Sequence, residues 1–144
     1  DRYDQRILDI LSRDGRIAKS RLAEQINLST AATWERVRKL EHCGVIRGYH
    51  AEIDRDLLQT SSQVLVEVTL SRHTAADFEQ FEARVRNAPE VTQCHATGGG
   101  IDYIMLVETA DIDAYQQFIE QLLADDLAIE RYFSYVVTKP VVSR

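Results

Sequence analysis

The spacing of apolar residues changes near residue 50, and this change divides the chain into two modules. Before it, apolar side chains recur every three or four residues, which is the period of an amphipathic helix. After it, short alternating runs typical of strands are interleaved with helical runs. The charge changes at the same place, since residues 1–50 carry 10 Lys and Arg against 7 Asp and Glu, whereas residues 51–144 carry 7 against 16. A mildly basic module followed by a strongly acidic one predicts two parts with different partners.

The composition excludes several classes of protein. Hydrophobic residues make up 44% of the chain and charged residues 28%, which is the balance of a folded globular protein. No apolar run approaches the roughly 20 residues that cross a bilayer, and the chain opens without a secretory signal pattern. The two cysteines, Cys43 and Cys94, give no disulfide framework, which favours a reducing, cytoplasmic location. Secreted, fibrous and membrane-spanning classes are therefore not expected.

Three short helices are predicted in the first module. The apolar spacing indicates a first helix over 3–11 and a second over 19–26. Ser29 can cap a third helix that runs to Cys43, and Gly44 suits the left-handed position after it. The residues from 45 to 53 then have an extended pattern. A supporting helix followed by two helices joined by a short turn is the arrangement of a helix-turn-helix.

The third predicted helix has one face for packing and another that suits DNA. Successive residues turn by about 100°, so Thr33, Val37 and Leu40 share an inward face. Small residues at the start of the opposite face permit approach to a groove, and basic residues further along can reach phosphates or guanine edges. The opposite face contains Ala31, Glu35, Arg38 and Lys39, with Ala32, Trp34 and Arg36 on the flanks. The same pattern also fits a small helical core with a solvated face, in which Trp34 is a packing residue.

The second module predicts six elements in the order βαββαβ. Its strand-like runs are 64–70, 91–97, 103–109 and 132–137, and its helical runs are 78–85 and 111–123. This order is that of the ferredoxin-like split βαβ fold, in which two helices cover one face of a four-stranded sheet. Val64, Val66 and Val68, or their neighbours, would leave the other face apolar in water, so self-association through that face is expected.

No catalytic or metal-binding group of residues is predicted. Gly98-Gly99-Gly100 lacks the Gly-Lys-Ser/Thr of a phosphate loop, and a tight turn or the close approach of a small ligand explains it better. His42-Cys43 and Cys94-His95 fall in different modules and lack the spacing of a zinc finger. The scattered His, Asp and Ser residues follow no triad order.

Both modules contain spaced motifs that belong together. In the first they are Asp14-Gly15-Arg16-Ile17, Leu22-Ala23, Asn27-Leu28-Ser29, Glu35-Arg36-Val37, Leu40-Glu41, Gly44-Val45-Ile46 and Gly48-Tyr49. In the second they are Phe78-Glu79-Gln80-Phe81, Pro89-Glu90-Val91, Cys94-His95, Gly99 and Asp102-Tyr103. In this order, over nearly the whole chain, they strongly resemble the Lrp/AsnC (feast/famine) family of prokaryotic transcription regulators and its effector-sensing RAM domain.

The resemblance implies an α+β chain with a winged-type helix-turn-helix over 1–50, an extended linker over 51–62 and a ferredoxin-like RAM domain over 63–144. It implies homodimers that assemble further, often to octamers, on double-stranded DNA. Two recognition helices per dimer predict paired half-sites. The family's DNA-contact segment maps onto Ser29, Thr30, Ala31, Ala32, Trp34, Glu35, Arg36, Arg38 and Lys39. Its effector turn maps onto His95, Gly98, Gly99, Gly100, Asp102 and Tyr103, where an amino acid or related metabolite, rather than a cofactor, is expected.

Three positions depart from the family pattern. Thr30 stands where proline commonly follows the serine, and the linker residues 53–58 lack the usual proline and glycine. Gly100 replaces the acidic residue that often follows Gly99. This last change removes a carboxylate that could pair with the ammonium group of an amino acid.

Two alternatives stand beside a ligand-responsive DNA-binding regulator at the nucleoid. One is a small enzyme of the dimeric ferredoxin-like type, which leaves the first module unexplained and lacks a paired acid and base in one predicted pocket. The other is an architectural DNA-binding protein without an effector. DNA binding measured with and without amino acids distinguishes these functions.

Overall fold

The computed structural model describes residues 1–54, 57–58 and 61–142. The chain forms two compact units, Asp1–Ile53 and Asp54–Arg144, and each has its own hydrophobic core. The linker predicted over 51–62 lies partly outside the described residues, which do not include 55, 56, 59 and 60. Among the described helices, none is long and apolar enough to cross a membrane.

The first unit consists of three helices that begin and end at local signals in the sequence. The helices are α1 (Arg2–Leu11), α2 (Lys19–Ile26) and α3 (Thr30–His42). The Asp1 carboxylate caps α1, and the Ser29 hydroxyl accepts the backbone N–H of Ala32 at 3.2 Å at the start of α3. Gly44 follows α3 with φ +77°, a left-handed conformation that costs glycine little. The three predicted helices, and the roles of Ser29 and Gly44 at the ends of the third, are confirmed.

The core of the first unit joins all three helices. Ile7 of α1 packs with Leu22 and Ile26 of α2 and with Val37 and Leu40 of α3. Burying five such side chains provides the main stabilisation of a unit this small.

The segment after α3 does not form a paired wing. Residues 45–53, predicted as extended, are neither helix nor strand, and the fully described first unit contains no strand that could pair with them. Side-chain contacts hold the segment instead. Ile46 packs against the core, and the Tyr49 hydroxyl donates to Glu41 at 2.9 Å.

The second unit has the predicted order βαββαβ. Its elements are β1 (Ser62–Leu70), α4 (Ala75–Arg86), β2 (Val91–Ala96), β3 (Tyr103–Thr109), α5 (Ile112–Ala124) and β4 (Ile129–Val136). The strands form one antiparallel sheet in the spatial order β2-β3-β1-β4. The last strand begins earlier than predicted, because Ile129 pairs with Leu70 beyond a register shift in β1. That pairing depends on a distant segment and leaves no local pattern.

The two faces of the sheet differ in burial. Val64, Val66 and Val68 are almost fully buried in the core with side chains of α4 and α5, so these valines are not the residues left in water. Their neighbour Leu65 lies on the opposite face and is 38% exposed. On β4, Tyr135 pairs with Leu65 and is 49% exposed, and Phe133 pairs with Glu67 and is 51% exposed. Large apolar side chains do lie in water on this face, and they alternate with the buried valines, but they share the face with Glu67, which accepts from the Tyr135 hydroxyl at 3.5 Å.

Candidate DNA-binding surface and effector region

The third helix presents its predicted face to solvent. Thr33, Val37 and Leu40 are buried, as their spacing predicts. The exposed candidate contacts are Ser29, Thr30, Ala31, Glu35, Arg38 and Lys39, and the half-buried ones are Ala32, Trp34 and Arg36. Arg38 and Lys39 have no carboxylate within 4.0 Å among the described residues. Both positive charges therefore face solvent without an internal partner.

Arg36 is not part of this open face. Its guanidinium Nη1 lies 2.6 Å from the Asp1 carboxylate and 2.9 Å from that of Asp4, both on the side of α1. The same group lies 5.3 Å over the ring of Tyr3. The hydrogen bond from Arg36 lowers the pKa of the Asp4 carboxyl. Because its guanidinium links α3 to α1, Arg36 is less available for the predicted contact with DNA. The sequence pattern of α3 alone gives no indication of this ion pair.

Trp34 is a packing residue at the edge of the exposed face. Its ring is half-buried against the core of the first unit. The Nζ atom of Lys19, at the start of α2, lies 3.4 Å from the ring centroid, within cation–π distance. This contact between α2 and α3 adds Lys19 to the residues that border the surface, and sequence spacing within one helix could not reveal it.

The glycine turn joins β2 to β3 and is exposed. Only Gly99 has a left-handed backbone, with φ +126°. A Cβ atom added to any of the three glycines would meet open space. The turn is closed by Thr97, whose N–H donates to the Asp102 carbonyl at 2.9 Å and whose hydroxyl donates to the Ile101 carbonyl at 2.7 Å. Its glycines therefore leave backbone and space accessible to a ligand.

The Asp102 carboxylate is occupied within the fold. It accepts the backbone N–H of Leu70 at 2.7 Å and lies 3.0 Å from Nε2 of His73. The Asp102 backbone N–H donates to the Val68 carbonyl at 2.9 Å. These bonds tie the glycine turn to the end of β1, so Asp102 has a structural task that competes with binding an ammonium group.

The other two predicted effector residues lie on opposite faces of the sheet. His95 pairs with Ile104 and is exposed, whereas Tyr103 pairs with Ala96 and is 2% exposed. The Tyr103 hydroxyl donates to Glu82 of α4 at 2.9 Å, and burial together with this carboxylate raises the pKa of the phenol. The structure therefore keeps the exposed turn and His95 apart from Tyr103, which is a core residue.

A shallow cavity lies where Tyr103 meets α4. Its volume is about 210 Å³, and it is lined by Glu82, Val85, Arg86, Cys94, Ala96 and Tyr103. Burial raises the pKa of the Cys94 thiol, which disfavours the reactive thiolate. The lining gives no nucleophile paired with a base. Among the described residues, no cluster of three or more His, Cys, Asp or Glu side chains could hold a metal ion.

A helix-turn-helix unit and a ferredoxin-like unit in one chain define a class of ligand-responsive DNA-binding proteins. A family model for winged helix-turn-helix DNA-binding domains matches residues 1–47, and one for the Lrp/AsnC ligand binding domain matches residues 63–144. The chain belongs to the Lrp/AsnC family of transcriptional regulators.

Proteins that match nearly the whole chain are also transcriptional regulators. The chain is 55% identical over 141 residues to the transcriptional regulatory protein DoeX of Halomonas elongata, covering 98% of this chain and 89% of that protein. An AsnC family regulator from Agrobacterium tumefaciens superposes with a TM-score of 0.91 at 31% identity, covering 99% and 93% of the two chains. A regulator from Neisseria meningitidis in complex with L-Met has a TM-score of 0.90 at 29% identity, covering 99% and 92%.

Proposed function

We propose that the protein is a non-enzymatic, cytoplasmic regulator at the nucleoid that binds double-stranded DNA through α3 and responds to an amino acid or related metabolite. The observation that carries the proposal is the exposed face of α3, where two unpaired basic side chains follow a capped helix start with small residues. Arg38 and Lys39 can neutralise phosphates, and the small side chains at 31 and 32 let the backbone approach the groove. The proposed contacts are Ser29, Thr30, Ala31, Ala32, Trp34, Glu35, Arg38 and Lys39.

Arg36 has an indirect role in this proposal. Its bonds to Asp1 and Asp4 fix the orientation of α3 relative to α1. A recognition helix that keeps its orientation loses less conformational freedom when it enters the groove. Arg36 is therefore proposed as a positioning residue.

The open face of the sheet supports a homodimer. Leu65 pairs with Tyr135, Phe133 lies two residues before Tyr135 on the same face, and all three side chains are at least 38% exposed. A second copy of the same face would remove these side chains from water. A dimer has two copies of α3 and therefore needs two half-sites, one helical turn or a multiple of it apart. Assembly of dimers to octamers is proposed from the family resemblance.

An effector is proposed at the glycine turn. The exposed backbone of Gly98, Gly99 and Gly100 suits a carboxylate, because N–H groups without side chains can approach it closely. The L-Met complex of the Neisseria regulator supports an amino acid as the class of ligand. Asp102 is already hydrogen-bonded and Gly100 has no side chain. A residue outside the glycine turn would therefore have to bind the ammonium group of the ligand.

Selection of sites from random-sequence DNA, followed by binding and thermal-shift measurements with each of the twenty amino acids, tests the proposal. We expect a selected site with paired half-sites and an affinity that changes with at least one amino acid. Sequence-specific binding that no small molecule alters would favour an architectural protein. The absence of sequence-specific binding would refute the assignment of α3.

A further inference from the structure

Glu35 is an unpaired acidic residue in the middle of the basic face of α3. It is exposed and has no hydrogen bond or ion pair with any described residue. Lys39, one turn along the same helix, is not within 4.0 Å of it, although this spacing commonly forms ion pairs. Two acids of the same unit do have partners: Asp4 binds Arg36, and Glu41 accepts from Tyr49. The fold gives Glu35 no structural task.

A carboxylate on this face is unfavourable for general binding to DNA. Phosphates repel it, and any approach to the duplex removes water from the charge. Neutral or basic side chains at the same position would strengthen contact with every sequence. The carboxylate becomes favourable only where the DNA offers it a hydrogen-bond donor.

The major groove offers such donors only on bases. An ionised carboxylate is solely an acceptor, and the exocyclic amino groups of cytosine (N4) and adenine (N6) are the donors on base edges. The adenine amino group lies between two acceptors, N7 of the same base and O4 of the paired thymine, whereas the cytosine amino group has an acceptor on one side only, O6 of the paired guanine. Repulsion by neighbouring acceptors is therefore weaker at cytosine.

The position of Glu35 suits a base contact. It lies in the N-terminal half of α3 (Thr30–His42), the part of a recognition helix that reaches base edges. Ala31, one turn before it, is small and exposed, so the helix can approach closely there. Arg38 and Lys39, one turn after it, provide the phosphate contacts that would hold the helix in register.

We propose that Glu35 reads a cytosine amino group in each half-site and that its charge disfavours binding where this cytosine is absent. The inference rests on the proposed binding of DNA through α3. It assigns to Glu35 the role of a specificity determinant, whereas Arg38 and Lys39 contribute affinity that does not depend on sequence.

The test compares sites selected by the wild-type protein with those selected by Glu35→Ala and Glu35→Gln. The wild-type sites should contain a cytosine at one position of each half-site, and replacing it should weaken binding about 5- to 150-fold. Glu35→Ala should lose preference at that position alone and bind random DNA more tightly. Glu35→Gln should shift the preference to adenine, whose N6 and N7 a glutamine amide can pair with together.

Asp9→Asn is the matched control, because Asp9 is exposed on α1 and the change removes the same charge. It should leave every base preference unchanged. If Glu35→Ala selected the same sites as the wild type with the same preferences, the role of Glu35 would be refuted. Arg38→Ala distinguishes this from a failure of the proposed function: if it too left DNA binding unchanged, the assignment of α3 would fall as a whole.

Discussion

Arg36 of α3 and Asp4 of α1 form an ion pair, with 2.9 Å between Nη1 and Oδ1, that joins the candidate recognition helix to its supporting helix. Both side chains are about one-third exposed, so the pair resembles a surface ion pair and not a buried one. Its main consequence is orientation, and its contribution to stability is modest.

The Asp4–Arg36 pair should make the stability of the first unit depend on acid pH. Because the pKa of Asp4 is lowered in the folded unit, the pair stabilises it fully above the unfolded value of about 3.9, and this contribution is lost as the pH falls through the folded value. Asp4→Asn should lower the free energy of unfolding by about 0.2–1 kcal/mol at pH 7 and by progressively less below pH 4. Denaturant unfolding measures this. Additive effects of Asp4→Asn and Arg36→Ala in a double-mutant cycle would contradict the pairing.

Arg38 and Lys39 should determine the salt dependence of DNA binding. Each phosphate contact that a side chain neutralises releases counterions, so losing one contact flattens the slope of log K against log salt by roughly one unit. Arg38→Ala and Lys39→Ala should each weaken binding, and the double variant should flatten the slope by roughly two units. Lys139→Ala, an exposed charge of the second unit, serves as the control. A double variant with the wild-type slope would show that these residues do not contact phosphates.

The open sheet face should control dimerisation. Leu65→Glu places a second carboxylate near Glu67 on the face that a partner copy would cover, so the full chain should shift towards monomers. Leu123→Glu is a matched control, because Leu123 is 41% exposed on α5, away from the sheet face. Light scattering at micromolar concentration measures both. A fragment of residues 61–144 should also dimerise, and a monodisperse monomer of that fragment would argue against this interface.

Gly100→Asp should tighten the binding of a free amino acid. The added Cβ meets open space, so the turn can accept the side chain without rearrangement. A new charge-assisted hydrogen bond to an ammonium group contributes roughly 1.5–3 kcal/mol where water is excluded, and less at a turn as exposed as this one. Gly100→Asn, with nearly the same shape and no charge, should give much less. Calorimetric titration against an amino-acid panel is the measurement, and absence of heat from all three proteins would leave the effector site unsupported.

Local sequence signals were sufficient to predict the three helices of the first unit and the residues at the ends of α3. Ser29 and Gly44 act through backbone bonds within a few residues, and the burial of Thr33, Val37 and Leu40 follows from helical spacing alone. The order of strands and helices in the second unit was also predictable, because each run is short and bounded by turn residues.

Features that depend on distant residues were not predictable. The ion pair of Arg36 involves residues more than 30 positions away, and the pattern of α3 places this side chain only on a flank. Tyr103 lies beside the glycine turn in sequence, but the strand alternation turns its ring into the core, against Phe81. Asp102 is likewise held by Leu70 and His73 of another segment. Contacts between segments, rather than local propensity, decide which candidate site residues remain available.

Trp34, which stacks with Lys19, also gives the protein an intrinsic optical probe. Trp34 is the single tryptophan of the chain, and it lies at the border of the proposed DNA surface. Its fluorescence therefore follows the first unit alone, whereas the signal of the six tyrosines comes from both units. Tryptophan emission and far-ultraviolet circular dichroism recorded on one sample can thus distinguish independent melting of the DNA-binding unit from cooperative unfolding of the whole protein.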